Sequence, residues 1–175
     1  KELKKSVEYK NNKEDVEITI KVNEGPKYKI GNITIEGNTV YKDSTLIERL
    51  DMRRGNVYNV MKFQQNLRGN ESQTDVASLY LDNGYLGFAA DVDETIRDNN
   101  YVDLKINISE NRQYRVGLIS LSGNTKTQDK VVRRELLTLP GQYFNKSAMV
   151  RSMQQMSQLN YFNPESLNYD FVQRN

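Results

Sequence analysis

The chain has 175 residues, 25 Lys and Arg against 23 Asp and Glu, a net charge of +2, and neither cysteine nor histidine. That balance points no strong field at nucleic acid or at a membrane. The missing residue types exclude disulfides, cysteine-ligated metal, and the commonest general base and metal ligand.

In chain order, the opening segment reads as a β-hairpin. Val16, Ile18, Ile20 and Val22 alternate with Glu17, Thr19 and Lys21, the period of a strand with one buried face. Val7 and Tyr9 belong to its partner strand, with a turn at Asn11-Asn12-Lys13-Glu14. After the short joint Gly25-Pro26 comes a second strand, Tyr28 to Glu36. Its apolar parity slips between Ile30 and Ile33, which predicts a bulge at Gly31. Tyr28 is placed at the joint itself.

Gly37-Asn38 ends that strand in a tight turn, since both residue types tolerate positive φ. Asp43 and Ser44 then read as caps of a short helix bearing Leu46, Ile47 and Leu50. A turn at Gly55-Asn56-Val57-Tyr58-Asn59 follows, with Asn59 capping a second helix through Val60, Phe63 and Leu67. The polar run Gly69–Thr74 predicts a kink or break in it, and Gly84 a C-cap after Leu79–Leu81. Two further strands come next, Phe88–Arg97 and Tyr101–Ile108, around the turn Asp98-Asn99-Asn100.

The chain then repeats itself. Tyr28/Tyr114, Gly37/Gly123, Asn38/Asn124, Leu50/Leu136, Gly55/Gly141 and Asn59/Asn145 all lie 86 positions apart, and Val16/Val102, Ile20/Ile106 and Glu24/Glu110 continue the offset backwards. Such a period is too long for a solenoid, whose repeats run about 20–50 residues, and suits a small domain copied in tandem. Its second helix carries Met149, Met153 and Met156 at helical spacing, read as core. Leu167, Tyr169 and Phe171 alternate as a strand, and no counterpart of Val102–Ile108 follows them.

Each unit is therefore strand, helix, helix, strand, strand. Two antiparallel helices return the chain so that the third strand runs parallel to the first and antiparallel to the second. The expected fold is α+β, a three-stranded mixed sheet in the order 1-3-2 with helices on one face. The expected units are 1–25 (the closing hairpin of a preceding unit), 26–111 (complete) and 112–175 (lacking its last strand). No run approaches the about 18 apolar residues of a membrane helix and Lys1 opens no signal peptide, so the sequence reads as an internal segment of something longer.

The second strand of the complete unit is left at a sheet edge with unpaired backbone groups. Its residues Phe88, Ala89, Ala90, Asp91, Val92, Asp93, Glu94, Thr95, Ile96 and Arg97 are the candidate binding surface. Gly37, Asn38, Gly123 and Asn124 are read as structural turn residues. Asp91, Asp93 and Glu94 are read as charge guarding an edge, rather than as metal ligands. The open face of the central strand offers Tyr101, Asp103, Lys105 and Asn107, one aromatic and mixed charge, a poor platform for RNA. No catalytic, cofactor or metal site is expected, because no nucleophile–base pair, phosphate loop or ligand cluster assembles from these residues.

These motifs together, Gly-Asn after the first strand, Gly-x-x-Tyr/Phe-Asn between the helices and Leu-Tyr-x-x-x-Gly-Tyr closing the second helix, resemble POTRA domains. Gly37-Asn38, Gly55–Asn59, Leu79–Tyr85, Gly123-Asn124 and Gly141–Asn145 carry the resemblance. In tandem they look most like the periplasmic arm of a BamA-type outer-membrane assembly factor. The resemblance implies a non-enzymatic periplasmic scaffold without cofactor. Its implied partners are unfolded outer-membrane β-barrel proteins, accessory outer-membrane lipoproteins and a C-terminal β-barrel of its own. An alternative is a POTRA-type structural or interaction module of another transporter or a cell-division protein.

Overall fold

A computed structural model describes residues 2–10, 15–23 and 25–172. β1 (Glu2–Lys10) and β2 (Asp15–Asn23) pair antiparallel, Val7 opposite Ile18. The turn expected at Asn11–Glu14 lies outside the described residues. Val7, Val16, Ile18 and Ile20 are exposed, so no helix covers this hairpin among the described residues.

The complete unit is built from β3 (Lys29–Glu36), α1 (Asp43–Leu50), α2 (Val60–Arg68), α3 (Val76–Leu81), β4 (Ala89–Arg97) and β5 (Tyr101–Ser109). The sheet order is β3-β5-β4, with β5 parallel to β3 and antiparallel to β4. Val102, Leu104, Ile106 and Ile108 turn one face of β5 into a core shared with Ile30, Leu46, Leu50, Phe63, Leu67, Val76 and Tyr80. Each such side chain contributes on the order of 2 kcal/mol by leaving water. Tyr80 sits at the centre, stacked on Phe88 at 4.4 Å and edge-on to Tyr41 and Tyr85. Tyr28 packs half-buried against this core.

The bulge falls where the parity slips. The β3–β5 register shifts between Ile30 and Ile33, and a Cβ on Gly31 would lie 2.1 Å from Asp103 Oδ1. The second helix breaks in the polar run. Gly69 leaves helical geometry at φ 154°, and buried Asp75 restarts the helix by accepting from the Ser78 amide (2.8 Å) and hydroxyl (2.7 Å). α1 corrects one expectation: its N-cap is Lys42, and the Asp43 carboxylate instead accepts a bond from Asn38 Nδ2 at 2.7 Å. The C-cap of α3 is Asp82, and Gly84 (φ +86°) lies two residues beyond it.

The second copy contributes α4 (Asp129–Arg134) and α5 (Lys146–Gln158). Its local turns duplicate those of the first. Asn59 and Asn145 both cap their helices, accepting from Lys62 N (3.1 Å) and Ala148 N (2.6 Å). The Gly141 amide bonds Val116 O as Gly55 bonds Ile30 O. Met156 is buried, and Met149 and Met153 are half-buried. The strands expected at Tyr114–Leu121 and Leu167–Phe171 form no ladder, however; Arg115 makes one isolated bridge, to Tyr143. In the first copy β3 gains its ladder from β5, and the described residues hold no equivalent of β5 here, so the extended backbone has nothing to pair with.

The joint between the copies is polar and specific. Asp82, at the end of α3, accepts from the Ser147 amide (2.7 Å) and hydroxyl (2.6 Å), and its carbonyl accepts from Asn145 Nδ2 (2.9 Å). A carboxylate is thus held at the N-terminus of α5, where free amides and the helix dipole favour it. The Tyr114 amide bonds Gly84 O at 2.8 Å, in space that any Cβ on Gly84 would fill.

Candidate functional site

Side chains on β4 follow the pleat. Ala90 is buried and Val92 half-buried toward the helices, whereas Asp91, Asp93, Thr95 and Arg97 lie on the open face with Tyr101, Asp103, Lys105 and Asn107 of β5. That open face is stitched across strands. Arg97 pairs with Asp103, Lys105 with Glu36 at 3.0 Å, and Asn107 Nδ2 donates to Asp93 Oδ2 at 3.0 Å. A bond from the Asn32 amide, at 2.7 Å, and then the Arg97 guanidinium hold the Asp103 carboxyl below its usual range. Asp91 and Asp93 share this face, but Glu94 points to the other, where it accepts from the Tyr58 hydroxyl at 2.6 Å. Burial, and then that bond, push the Tyr58 phenol up.

The backbone of β4 can be oriented from its neighbours. The carbonyls of Val102 and Ile108 lie 3.1 and 2.1 Å from where a Cβ on Gly31 and Gly37 would stand, so the even-numbered residues of β5 turn their backbone groups toward β3. Their antiparallel partners are Ile96, Glu94, Val92 and Ala90. In an antiparallel pair, residues that do not exchange bonds direct their N–H and C=O away from one another. Ala90, Val92, Glu94 and Ile96 therefore face outward from the sheet. Ala90 O accepts from Arg68 Nη2 at 3.0 Å; the outward groups of the other three have no partner among the described residues. β3, the opposite edge, is covered at its start, where Ile30 N bonds Asn56 O and Tyr58 N bonds Tyr28 O, both at 2.8 Å.

Phe88, expected within the edge strand, lies one residue before it. Its ring stacks on Tyr80 and its amide closes a turn onto Tyr85 O, so it serves the core. The other nine candidates, Ala89 to Arg97, are the strand. Gly37 and Gly123 both have φ +85°, and Asn38 and Asn124 close matching turns onto Tyr41 O and Thr127 O at 2.9 Å.

Three participants escaped the sequence reading. Glu110 ties the end of β5 to the Gly-Asn turn, accepting from Thr39 Oγ1 (2.5 Å), Val40 N (3.0 Å) and Tyr80 OH (2.8 Å). Burial pushes its pKa up, and those bonds outweigh burial and hold it below its usual range. The Glu24/Glu110 identity was a signal for it, since a carboxylate kept across the 86-residue offset asks for a purpose. Arg68 and Asp82 carried no such signal, because their partners are 22 and 65 positions away.

A family model for POTRA, described as surface antigen variable number repeat, matches residues 28–111 and 114–172. The chain is 33% identical over 150 residues to the outer membrane protein assembly factor BamA of Neisseria meningitidis serogroup B, covering 79% of this chain and 18% of that protein. BamA of Buchnera aphidicola is 28% identical over 159 residues, 90% of this chain and 25% of that one. The chain thus spans a quarter or less of the length of these relatives. A crystal structure of Haemophilus influenzae BamA POTRA3-5 shares the fold with a TM-score of 0.67 at 20% identity, covering 91% of this chain and 61% of that one. Among the described residues no helix is long and apolar enough to cross a membrane.

Proposed function

The chain belongs to the POTRA family, and from that premise we propose that it is a periplasmic scaffold segment of an outer-membrane β-barrel assembly factor. It binds unfolded outer-membrane β-barrel clients by strand addition to β4 and docks accessory lipoproteins, without catalysing a reaction. The observation that carries this reading is the outward-facing backbone at Val92, Glu94 and Ile96 on an edge strand, without partners among the described residues. Main-chain hydrogen bonds to such an edge give affinity with little dependence on client sequence, which suits a carrier of many clients. The same reading divides the chain into 1–25, 26–111 and 112–175, supported by the 86-residue period and by the joints at Gly25-Pro26 and Asn111-Arg112.

The test is an amide NMR titration with a peptide from the last strand of an outer-membrane β-barrel. Shifts concentrated in residues 88–97 and along α2 and α3 are expected. Absent or scattered shifts would leave the segment a spacer or a lipoprotein dock.

A further inference from the structure

We infer that Arg68 sets the frame in which a strand adds to β4: pairing runs along Val92, Glu94 and Ile96, and a guanidinium strap closes the edge at Ala90. This rests on the strand-addition reading and adds to it where pairing stops. Outward backbone positions recur every second residue, so the edge offers Ala90, Val92, Glu94 and Ile96 in turn. At the first of these the carbonyl is already taken. Arg68 is the last residue of α2, and its Nε donates to Gln64 Oε1 at 2.9 Å, one helical turn back. That bond fixes the plane of the guanidinium, whose Nη2 then reaches Ala90 O at 3.0 Å. A bond from a charged, planar donor is stronger than the neutral amide bond an incoming strand would offer in its place.

The edge also ends there structurally. One outward position further back is Phe88, which lies outside the ladder with its amide turned onto Tyr85 O. In the other direction nothing among the described residues bonds the outward backbone. Val92, Glu94 and Ile96 present three N–H and three C=O groups, and Ile96 is 65% exposed on the helix side of the sheet. A residue of an added strand set beside Ile96 shares its face of the pleat, and burying an apolar side chain there removes both from water. The occupant is thus an extended segment with apolar residues at alternate positions, laid from Val92 toward the Arg97 end.

The experiment compares the wild-type protein with R68A in the same amide titration, using a ten-residue peptide of alternating apolar and polar residues from a β-barrel strand. Arg68 is exposed, so its truncation leaves the core intact. In the wild type, shifts and slowed exchange are expected at Val92, Glu94 and Ile96, with Ala90 unmoved. R68A is expected to extend the response to Ala90 and to tighten binding about fivefold, the worth of one more backbone hydrogen bond. A wild-type response as large at Ala90 as at Val92 overturns the frame and leaves strand addition standing. No response along β4 in either protein overturns both.

Discussion

The two copies of the repeat share their turns and differ in their sheets. Gly37 and Gly123 have the same φ, Asn38 and Asn124 make the same bonds, and Asn59 and Asn145 cap their helices alike. The opening strand of each copy also bonds the turn between the helices in the same way. Yet β3 lies in a ladder and residues 115–121 do not. The shared bonds all join residues within about 30 positions of one another, sequence that each copy contains, whereas the β3 ladder needs a partner strand about 70 positions further along the chain. The glycines record the difference. A Cβ on Gly37 would meet the Ile108 carbonyl at 2.1 Å, and one on Gly123 would meet nothing within 4 Å. The second copy also leaves Tyr161, Phe171 and Val172 exposed and buries the Thr138 hydroxyl without a partner among the described residues.

The largest consequence is in local stability. Amides of Val131–Leu159 in this chain are expected to exchange roughly a thousandfold faster than those of Leu46–Leu81, about 4 kcal/mol, because the described residues of the second copy form no ladder over its helices. Equal protection in native-state hydrogen exchange would break the contrast.

A matched pair of substitutions sharpens it. G37A combines a positive φ that alanine tolerates poorly with a clash against a backbone carbonyl fixed in the sheet, a loss of about 3 kcal/mol. G123A carries the conformational cost alone, about 1 kcal/mol. Chemical denaturation followed by probes in each copy reads both, and equal losses would show that the close approach at Ile108 does not matter.

The smallest effect is in pH. Glu110 has a folded pKa below its usual value, so its contribution is complete above the ordinary glutamate range, roughly pH 4.3, and is lost as pH falls through the depressed value. Protection in Tyr80 and β5 is expected to decline on acidification, and E110Q is expected to cost about 1 kcal/mol and flatten that dependence. A pH profile unchanged by E110Q would remove Glu110 from the account.

Much of the fold was legible because its signals are local. Period-2 alternation in Tyr101–Ile108, the slip at Gly31, the capping Asn59 and Asn145 and the break after Gly69 each lie within a few residues of their cause. The 1-3-2 order also followed, since two helices between strands leave few ways to pair. The edge strand was found by the same topological argument, with Phe88 misplaced because alternation cannot tell a strand residue from a core aromatic just outside it.

What the chain by itself determined, then, is the repeat, the element order and the existence of an open edge. Only the tertiary structure decided which backbone groups on that edge face outward, that Arg68 occupies the first of them, that Glu110 holds the Gly-Asn turn, and that Asp82 pins the joint. The physical reason is one of range. Periodicity, caps and turns are set by neighbours in sequence. A hydrogen bond from Arg68 to Ala90, from Thr39 to Glu110 or from Ser147 to Asp82 exists because packing brings together groups that no local pattern relates.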